Sequence, residues 1–427
     1  METPSQSSPL PWRALRWALL VGLILRVLFV VKLDQIHYVY PDEESYLDIG
    51  AQILRGNGYS MTVSQFEGLI RPGEPTTYWG CLTPLLSAGL QFLVGQSWLT
   101  IRLILGVTSL VATFFLALQY ARSSLSRPEL ILLGWLIALY PNLHFLGSFL
   151  MTETLFVPWT LGSLLLLQRA RRSGRWTDAT ALGLVFGLAH LTRPVLMPFE
   201  VATLGWAWWR SGWSRRWALQ AGLCLATTAL VISPWVIRNR VHYGAFVVET
   251  KSGFGMHLQN SAERHEWLRT GALLSTNIAV VMPEMTGPHE YHRSKLCGER
   301  FWEFVRTKPE LYLDLCRWRI KDLYELNPRW MTLPQVASPL VSAAMLTFYA
   351  LALTGLVVAL RKGLLPEAIL LVGYISALSI ATIAAPRYRA PADPALLMLA
   401  ATGIMALVRW IWRRPADAGG AGLPPRT

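Results

Sequence analysis

Three acidic residues in a row, Asp42, Glu43 and Glu44, follow Pro41 and precede Ser45 and Tyr46 in a chain that is otherwise poor in charge. A carboxylate can take a proton from a hydroxyl or an amine as that group attacks an electrophile, which is general-base chemistry. Proline followed by acids is also how a helix starts, so these carboxylates can equally complement a helix dipole. Arginines recur at three other points: Arg193 in His190-Leu191-Thr192-Arg193-Pro194, Arg238 and Arg240 after Pro234-Trp235, and Arg387 and Arg389 in Pro386-Arg387-Tyr388-Arg389. Guanidinium groups bind phosphate in bidentate fashion and stabilise the charge on a phosphate leaving group. Any one of them can instead snorkel to lipid headgroups. Glu153, in Met151-Thr152-Glu153, either pairs with one of those arginines or caps the next helix. Lys251 and His257 are further candidates for a headgroup or diphosphate, and His190 can equally be a satisfied histidine inside the membrane.

The elements that must carry these residues follow from composition. Of 427 residues 53% are hydrophobic and 15% charged, and the mean hydropathy is +0.35. That excludes an ordinary soluble domain. Apolar segments recur near 14–31, 98–121, 129–147, 150–168, 178–196, 198–209, 217–236, 338–360, 365–384 and 392–412, most of them long enough for a hydrocarbon core of about 30 Å. The fold class expected is an all-α polytopic membrane protein of about ten or eleven transmembrane helices. Residues 79–96 are apolar too, but a full crossing there inverts everything downstream, so a partial or re-entrant segment is expected.

The formal charge of +13 would suggest nucleic-acid binding in a soluble protein. Here short basic loops carry much of it: Arg122 with Arg127, Arg169 to Arg175, Arg210 to Arg216, Arg361 with Lys362, and Arg409 to Arg414. The positive-inside rule places them in the cytoplasm, so the charge reads as orientation and no nucleic-acid partner is expected. Loops 34–78, 141–153 and 238–335 then share the opposite face, which is also where the acids and arginines lie. Expected are a cytoplasmic N-terminus over 1–13, a single membrane domain over 14–412 and a cytoplasmic tail over 413–427. Residues 293–325 mix aromatic and basic residues around Pro309 and predict two amphipathic, juxtamembrane helices in the large external loop. Six of the 39 basic residues are lysine, and arginine is the better phosphate fork. The four cysteines, Cys81, Cys224, Cys297 and Cys316, have no CxxC spacing, so no metal or redox motif is read from them.

Several of these segments together resemble the GT-C glycosyltransferases, in particular the bacterial enzymes similar to dolichyl-phosphate-mannose protein mannosyltransferases and the lipid A aminoarabinose transferase (family 39-like). The resemblance rests on Pro41-Asp42-Glu43-x-x-Tyr46, Thr152-Glu153, Leu191-Thr192-Arg193-Pro194, Pro234-Trp235-x-x-Arg238-Asn239 followed by Tyr243-Gly244, and Arg387-Tyr388-Arg389, in an order that covers about 40–390. It departs from the family where Arg71 is followed by Pro-Gly-Glu rather than paired prolines. The resemblance implies an inverting hexosyl or pentosyl transfer from a polyprenyl-phosphate sugar to a protein, lipid or glycan acceptor, at the extracytoplasmic face of the cell inner membrane. By position, Asp42 would be the base and Glu43 the second acid. Arg193, Arg238, Arg387 and Arg389 would hold the donor phosphate, and Tyr46, Glu153, Lys251 and His257 would contact substrate. No cofactor is expected. Some relatives use a divalent metal, but no convincing ligand set supports one in this sequence. The rival reading is a transporter or flippase for lipid-linked sugars or other amphiphilic anions. Such proteins commonly show paired repeats and broken helices at the membrane midplane, and the sequence shows neither.

Overall fold

The computed structural model describes residues 9–62, 70–270, 289–326 and 338–412. The expected tail 413–427, residues 1–8 of the expected N-terminus, and 63–69, 271–288 and 327–337 of the expected external loops lie outside the described residues.

The described residues fold as helices in the order α1 (Trp12–Gln35), α2 (Pro41–Leu54), α3 (Leu82–Val94), α4 (Trp98–Ala121), α5 (Arg127–Leu139), α6 (Pro141–Leu146), α7 (Thr152–Ser173), α8 (Trp176–Thr192), α9 (Met197–Arg210), α10 (Arg215–Tyr243), α11 (Lys251–Gln259), α12 (Ala262–Thr270), α13 (Glu290–Thr307), α14 (Pro309–Leu323), α15 (Ser338–Lys362), α16 (Pro366–Ala381), α17 (Pro386–Arg389) and α18 (Asp393–Trp412). Five stretches are long and apolar enough to cross a membrane: α1, α4, α10, 339–362 within α15, and 386–412. Each of the other expected spans is helical as well. The 13 residues of α3 reach only about 20 Å at 1.5 Å per residue, short of a hydrocarbon core of about 30 Å.

The helices depart from the expected spans at prolines. The residue before a proline is pushed out of the α region: the span expected over 129–147 breaks at Tyr140, before Pro141, and the one over 178–196 breaks at Arg193, before Pro194. Helix α10 instead continues through Pro234 to Tyr243, so Arg238 and Arg240 sit on a helix and not in the expected loop. The predicted amphipathic pair over 293–325 is present as α13 and α14, divided at Pro309.

Packing is close where side chains are small. Helices α15 and α18 cross at Gly355 and Gly403; a Cβ at Gly355 would lie 1.8 Å from the Leu399 carbonyl oxygen, and one at Gly403 2.0 Å from that of Leu351. Without a hydrophobic drive between helices in lipid, such backbone approach supplies the attraction. Helix α1 lies against α4 and α5, and its Arg26 is buried and donates to the carbonyls of Gly106 (2.9 Å), Gly147 (2.8 Å) and Leu143 (2.7 Å). The Gly147 carbonyl, at the C-terminal end of α6, gains a donor in this way. Arg26 thereby fixes the turn that delivers Glu153 at the start of α7. His190 is paired inside the bundle through one ring nitrogen: its Nε2 lies 2.7 Å from Glu200 Oε2, Thr228 donates to Glu200 Oε1 at 2.7 Å, and the buried His190 Nδ1 has no hydrogen-bond partner among the described residues.

Candidate active site

Helix α2 begins at Pro41 with all three acids in its first turn, so the dipole favours each. Successive residues on a helix point about 100° apart, and the three carboxylates accordingly meet different surroundings. Glu44 is exposed. Glu43, 1% exposed, is gripped by Arg102 of α4, whose Nε and Nη2 lie 2.9 and 2.6 Å from its two oxygens, while the Leu150 amide donates to it at 2.9 Å. Asp42, also buried, faces a different group of cations.

Arg387 of α17 donates to Asp42 at 2.9 Å, and Lys251 Nζ of α11 lies 3.5 Å from the same oxygen. Arg387 also donates to the hydroxyls of Tyr388 (3.1 Å) and Tyr40 (3.3 Å). Lys251 stands over the Trp79 ring, 3.5 Å from its centroid, a cation–π contact that holds the ammonium in place. Beside them Arg193 donates to Glu153 at 2.6 Å and stacks over Tyr388 at 5.1 Å. Glu153 therefore pairs with an arginine, one of the two alternatives its position left open.

The local scaffold explains this convergence. The Arg193 break before Pro194 turns that side chain off the end of α8, and Pro386 starts α17 so that Arg387 and Tyr388 face inward. Gly80 lets the Trp79 loop pass against the end of α8, where a Cβ would lie 2.5 Å from the Thr192 carbonyl oxygen. Helix α3 supports α2 from below, with Gln91 donating to the Leu47 carbonyl at 2.9 Å.

Charge and burial set the protonation of the site. Burial alone would raise the Asp42 carboxyl, but Lys251 and Arg387 outweigh it and hold it below the usual aspartate value, so it is ionised at neutral pH. Lys251 is lowered by burial, with Asp42 pulling the other way. Tyr46, one turn after Asp42 on the same face of α2, is fully buried, and its hydroxyl has no hydrogen-bond partner. Burial and then the Asp42 charge raise it, so it is a neutral donor beside the carboxylate.

A cavity of about 440 Å³ opens from this cluster. Its polar end carries Arg193, Lys251, Glu249, Ser252 and Tyr388. Its other end is an apolar slot between Val195 and Met197 on one side and Tyr374, Ile375 and Leu378 of α16 on the other. Cationic head and apolar slot together match an amphiphile with an anionic headgroup.

The sequence-predicted residues thus divide. Asp42, Tyr46, Glu153, Arg193, Lys251 and Arg387 come together, whereas Glu43, Arg238 and Arg389 are engaged elsewhere and His257 lies outside the cluster. Arg238 donates to the Thr76 carbonyl at 2.9 Å and covers Trp235, bracing the return of the first loop. Arg389 is buried in its own network, with Asp393 at 2.7 Å, the Leu323 carbonyl at 2.7 Å and the Tyr140 hydroxyl at 3.0 Å. His257 is buried on α11, its imidazole lowered by that burial. Sequence reasoning read Trp79 as an aromatic-belt entry rather than a substrate platform, quoted Tyr388 within a motif without giving it a role, and passed over Glu249 and Arg102. Tyr388 and Trp79 adjoin residues that were singled out, but Glu249 and Arg102 carry no local signal. Among the described residues no group of three or more His, Cys, Asp or Glu side chains is placed to hold a metal, so no residue is assigned to one.

Glu43 pairs with Arg102 beside Asp42 on α2. Glu43→Gln leaves Arg102 as an uncompensated buried cation and is expected to destabilise the protein by about 3–5 kcal/mol. Thermal unfolding in detergent would show this, and the double variant with Arg102→Met should recover most of the loss. Wild-type stability in Glu43→Gln alone would contradict the pairing.

No protein-family model matches the chain, and no curated protein matches its sequence. Solved membrane transferases do match its structure. The Archaeoglobus fulgidus oligosaccharyltransferase in complex with Zn and sulfate superposes with a TM-score of 0.53 at 16% identity, over 94% of this chain and 49% of that one. Its apo form gives 0.51 at 15% identity, over 96% and 53%. The chain has a GT-C fold. It spans about half the length of that oligosaccharyltransferase. ArnT from Cupriavidus metallidurans bound to undecaprenyl phosphate superposes at 0.43 and 15% identity, over 94% of this chain and 81% of ArnT. Within the GT-C fold of this chain, the site cluster lies where α2, α7, α11 and α17 meet.

Proposed function

We propose that the chain is a membrane glycosyltransferase that moves a hexosyl or pentosyl group from a polyprenyl-phosphate donor to a protein, lipid or glycan acceptor, with inversion, on the extracytoplasmic face of the cell inner membrane. The observation that carries this reading is the cavity whose cationic end, Arg193 and Lys251, adjoins Asp42 while its far end is an apolar slot. The GT-C fold agrees with it.

In this reading the donor phosphate sits on Arg387, Lys251 and Arg193, with the first units of the polyprenyl chain in the slot along α16. The acceptor hydroxyl or amine attacks the anomeric carbon from the opposite face. The new bond forms to that carbon, the carbon–oxygen bond to phosphate breaks, its electron pair leaves on the phosphate, and the acceptor proton goes to Asp42. A phosphate monoester leaves without being protonated, so stabilising its charge and removing one proton suffice. Arg193 is steadied by Glu153, and Tyr46 has a hydroxyl to offer either substrate beside the base.

The test is sugar transfer in membranes of cells expressing the chain, supplied with a panel of radiolabelled polyprenyl-phosphate sugars. Transfer from at least one donor above the level of membranes lacking the protein is the expected result. Movement of lipid-linked sugar between leaflets without transfer would sink the reading and favour the transporter.

The alkaline limb of the reaction should report Lys251. Because burial lowers its pKa, Lys251 loses its proton below the ordinary lysine value, weakening the phosphate site as pH rises. The affinity for donor should fall along that limb. In Lys251→Arg, which keeps its charge, the limb should disappear; a limb left in place would assign it to another group.

A further inference from the structure

The segment between α10 and α11 is held by its backbone on both sides of Glu249. The Val247 carbonyl accepts from Asn239 Nδ2 at 2.8 Å, and the Val248 carbonyl accepts from Trp235 Nε1 at 2.8 Å and from the Thr77 hydroxyl at 3.3 Å. Beyond it, the Thr250 amide donates to the Thr77 carbonyl at 3.0 Å, and the Thr250 carbonyl accepts from the Ser294 hydroxyl at 2.6 Å. The Thr250 side chain leaves on one side and donates to Glu290, while its neighbours Glu249 and Lys251 both line the donor cavity. The fold thus commits the Glu249 carboxylate to that cavity, where among the described lining residues it is the one acid.

A carboxylate at this end opposes phosphate binding. Arg193, Lys251 and Arg387 bring three positive charges, and Asp42 and Glu153 bring two negative ones, which leaves one positive charge for a phosphodiester. Arg193 makes its ion pair with Glu153, and Lys251 and Arg387 make theirs with Asp42; among the described residues the Glu249 carboxylate has neither an ion pair nor a hydrogen bond. Its charge cancels the excess and weakens any anion bound there. Burial raises its carboxyl against the pull of Lys251 and Arg193, and a phosphate on those cations weakens that pull.

The opposition is unequal for the two lipids that a polyprenyl-phosphate transferase handles. A donor is a phosphodiester with one negative charge, and its sugar offers hydroxyls, which are good donors to a carboxylate. The spent polyprenyl phosphate is a monoester of about 1.5 to 2 negative charges at pH 7, with no sugar hydroxyls. Beside it Glu249 is either repelled or made to take up a proton, and both cost the spent lipid affinity.

We infer that Glu249 is the residue by which the cavity tells a sugar-bearing donor from the spent lipid: its carboxylate accepts hydrogen bonds from hydroxyls of the donor sugar and opposes the second negative charge of polyprenyl phosphate. The direction of exchange, donor in and polyprenyl phosphate out, rests on the transferase reading.

The experiment titrates the full chain in detergent, at about pH 8, where the monoester is a dianion. The probes are polyprenyl-phosphate mannose, polyprenyl-phosphate arabinose and polyprenyl phosphate, without acceptor. Wild type should bind at least one sugar-bearing lipid more tightly than polyprenyl phosphate. Glu249→Gln keeps the shape and removes the charge, so the sugar-bearing lipid should bind about tenfold more weakly and polyprenyl phosphate about tenfold more tightly. Loss of structure gives no such opposite shifts. Glu249→Asp keeps the charge but withdraws it by one methylene, so it should weaken the sugar-bearing lipid and leave polyprenyl phosphate as in wild type. Should Glu249→Gln fail to fold, Glu249→Asp decides. Shifts of the two lipids in the same direction in Glu249→Gln, no shift at all, or a wild type that binds polyprenyl phosphate as tightly as either sugar-bearing lipid would overturn the inference. A preference that depends on Glu249 without sugar transfer in the membrane assay would keep this role and sink the transferase reading, and transfer with lipid binding indifferent to Glu249 would do the reverse.

Discussion

Asp42→Asn is expected to lower sugar transfer about a hundredfold or more, the range over which a positioned base contributes. The loss should fall on kcat. Asparagine keeps the shape of the side chain and can still accept from Arg387, but it removes the one anion that Arg387 and Lys251 share. Those cations are then wholly available to the donor phosphate, so KM should stay the same or fall. A structural role for Asp42 would give the opposite pattern, with lost protein or lost donor binding. The pH profile adds a second readout. In the free protein Lys251 and Arg387 hold the Asp42 carboxyl low, which makes it a weak base. A bound phosphate competes for both cations and lets that carboxyl rise. The acid limb of kcat, which reports the complex, should therefore lie at higher pH than that of kcat/KM, which reports the free protein. Coincident limbs would mean that the donor does not draw on the cations that hold Asp42. Transfer unchanged in Asp42→Asn would remove the base assignment altogether.

How much of this was legible beforehand depends on what kind of signal each residue carries. Hydropathy located the helices because the bilayer demands long apolar stretches, and the ends moved mainly at Pro141, Pro194 and Pro234. Proline at 141 and 194 broke a span as its chemistry predicts. Proline at 234 did not, because α10 carries it in mid-helix, and this moved Arg238 from a loop onto a helix facing Thr76. The candidate site was legible to the level of which chain segments and which residue types. It was not legible to the level of which neighbour each residue chooses. Asp42 and Glu43 are adjacent and chemically alike, yet one rotation along α2 gives the first to Lys251 and Arg387 and the second to Arg102. Arg387 and Arg389 differ in the same way, two residues apart on one turn. Arg102 was invisible because it sits inside an apolar span with nothing around it to mark a partner 59 residues away. Glu249 was invisible because a lone acid in a loop is ordinarily a solvated one, and only the fold brings it beside Lys251 and Arg193.

The two arginines of α17 should separate most sharply under mutation. Arg387→Gln is expected to reduce transfer about a hundredfold to a thousandfold, as loss of one group that stabilises a developing anion does, with weaker binding of polyprenyl phosphate. Stability should change less than in the Arg389 variant, because Asp42 keeps Lys251 as a partner and Tyr388 lines the open cavity. Arg387→Lys should recover part of the activity, since it restores the charge without the bidentate fork. Arg389→Gln should do the reverse. Arg389 is 3% exposed, and its loss strands Asp393, 0% exposed, against Asn142 alone. Breaking a pair of that kind costs about 3–5 kcal/mol, so the melting temperature falls while the protein that remains folded binds donor as wild type does. Both quantities come from one preparation: thermal unfolding in detergent and titration with polyprenyl phosphate. If Arg389→Gln instead lost donor binding at unchanged stability, the phosphate would have to sit on the Arg389 side of α17, toward the cavity at Phe348 and Met345, and the slot along α16 would no longer be where the lipid lies.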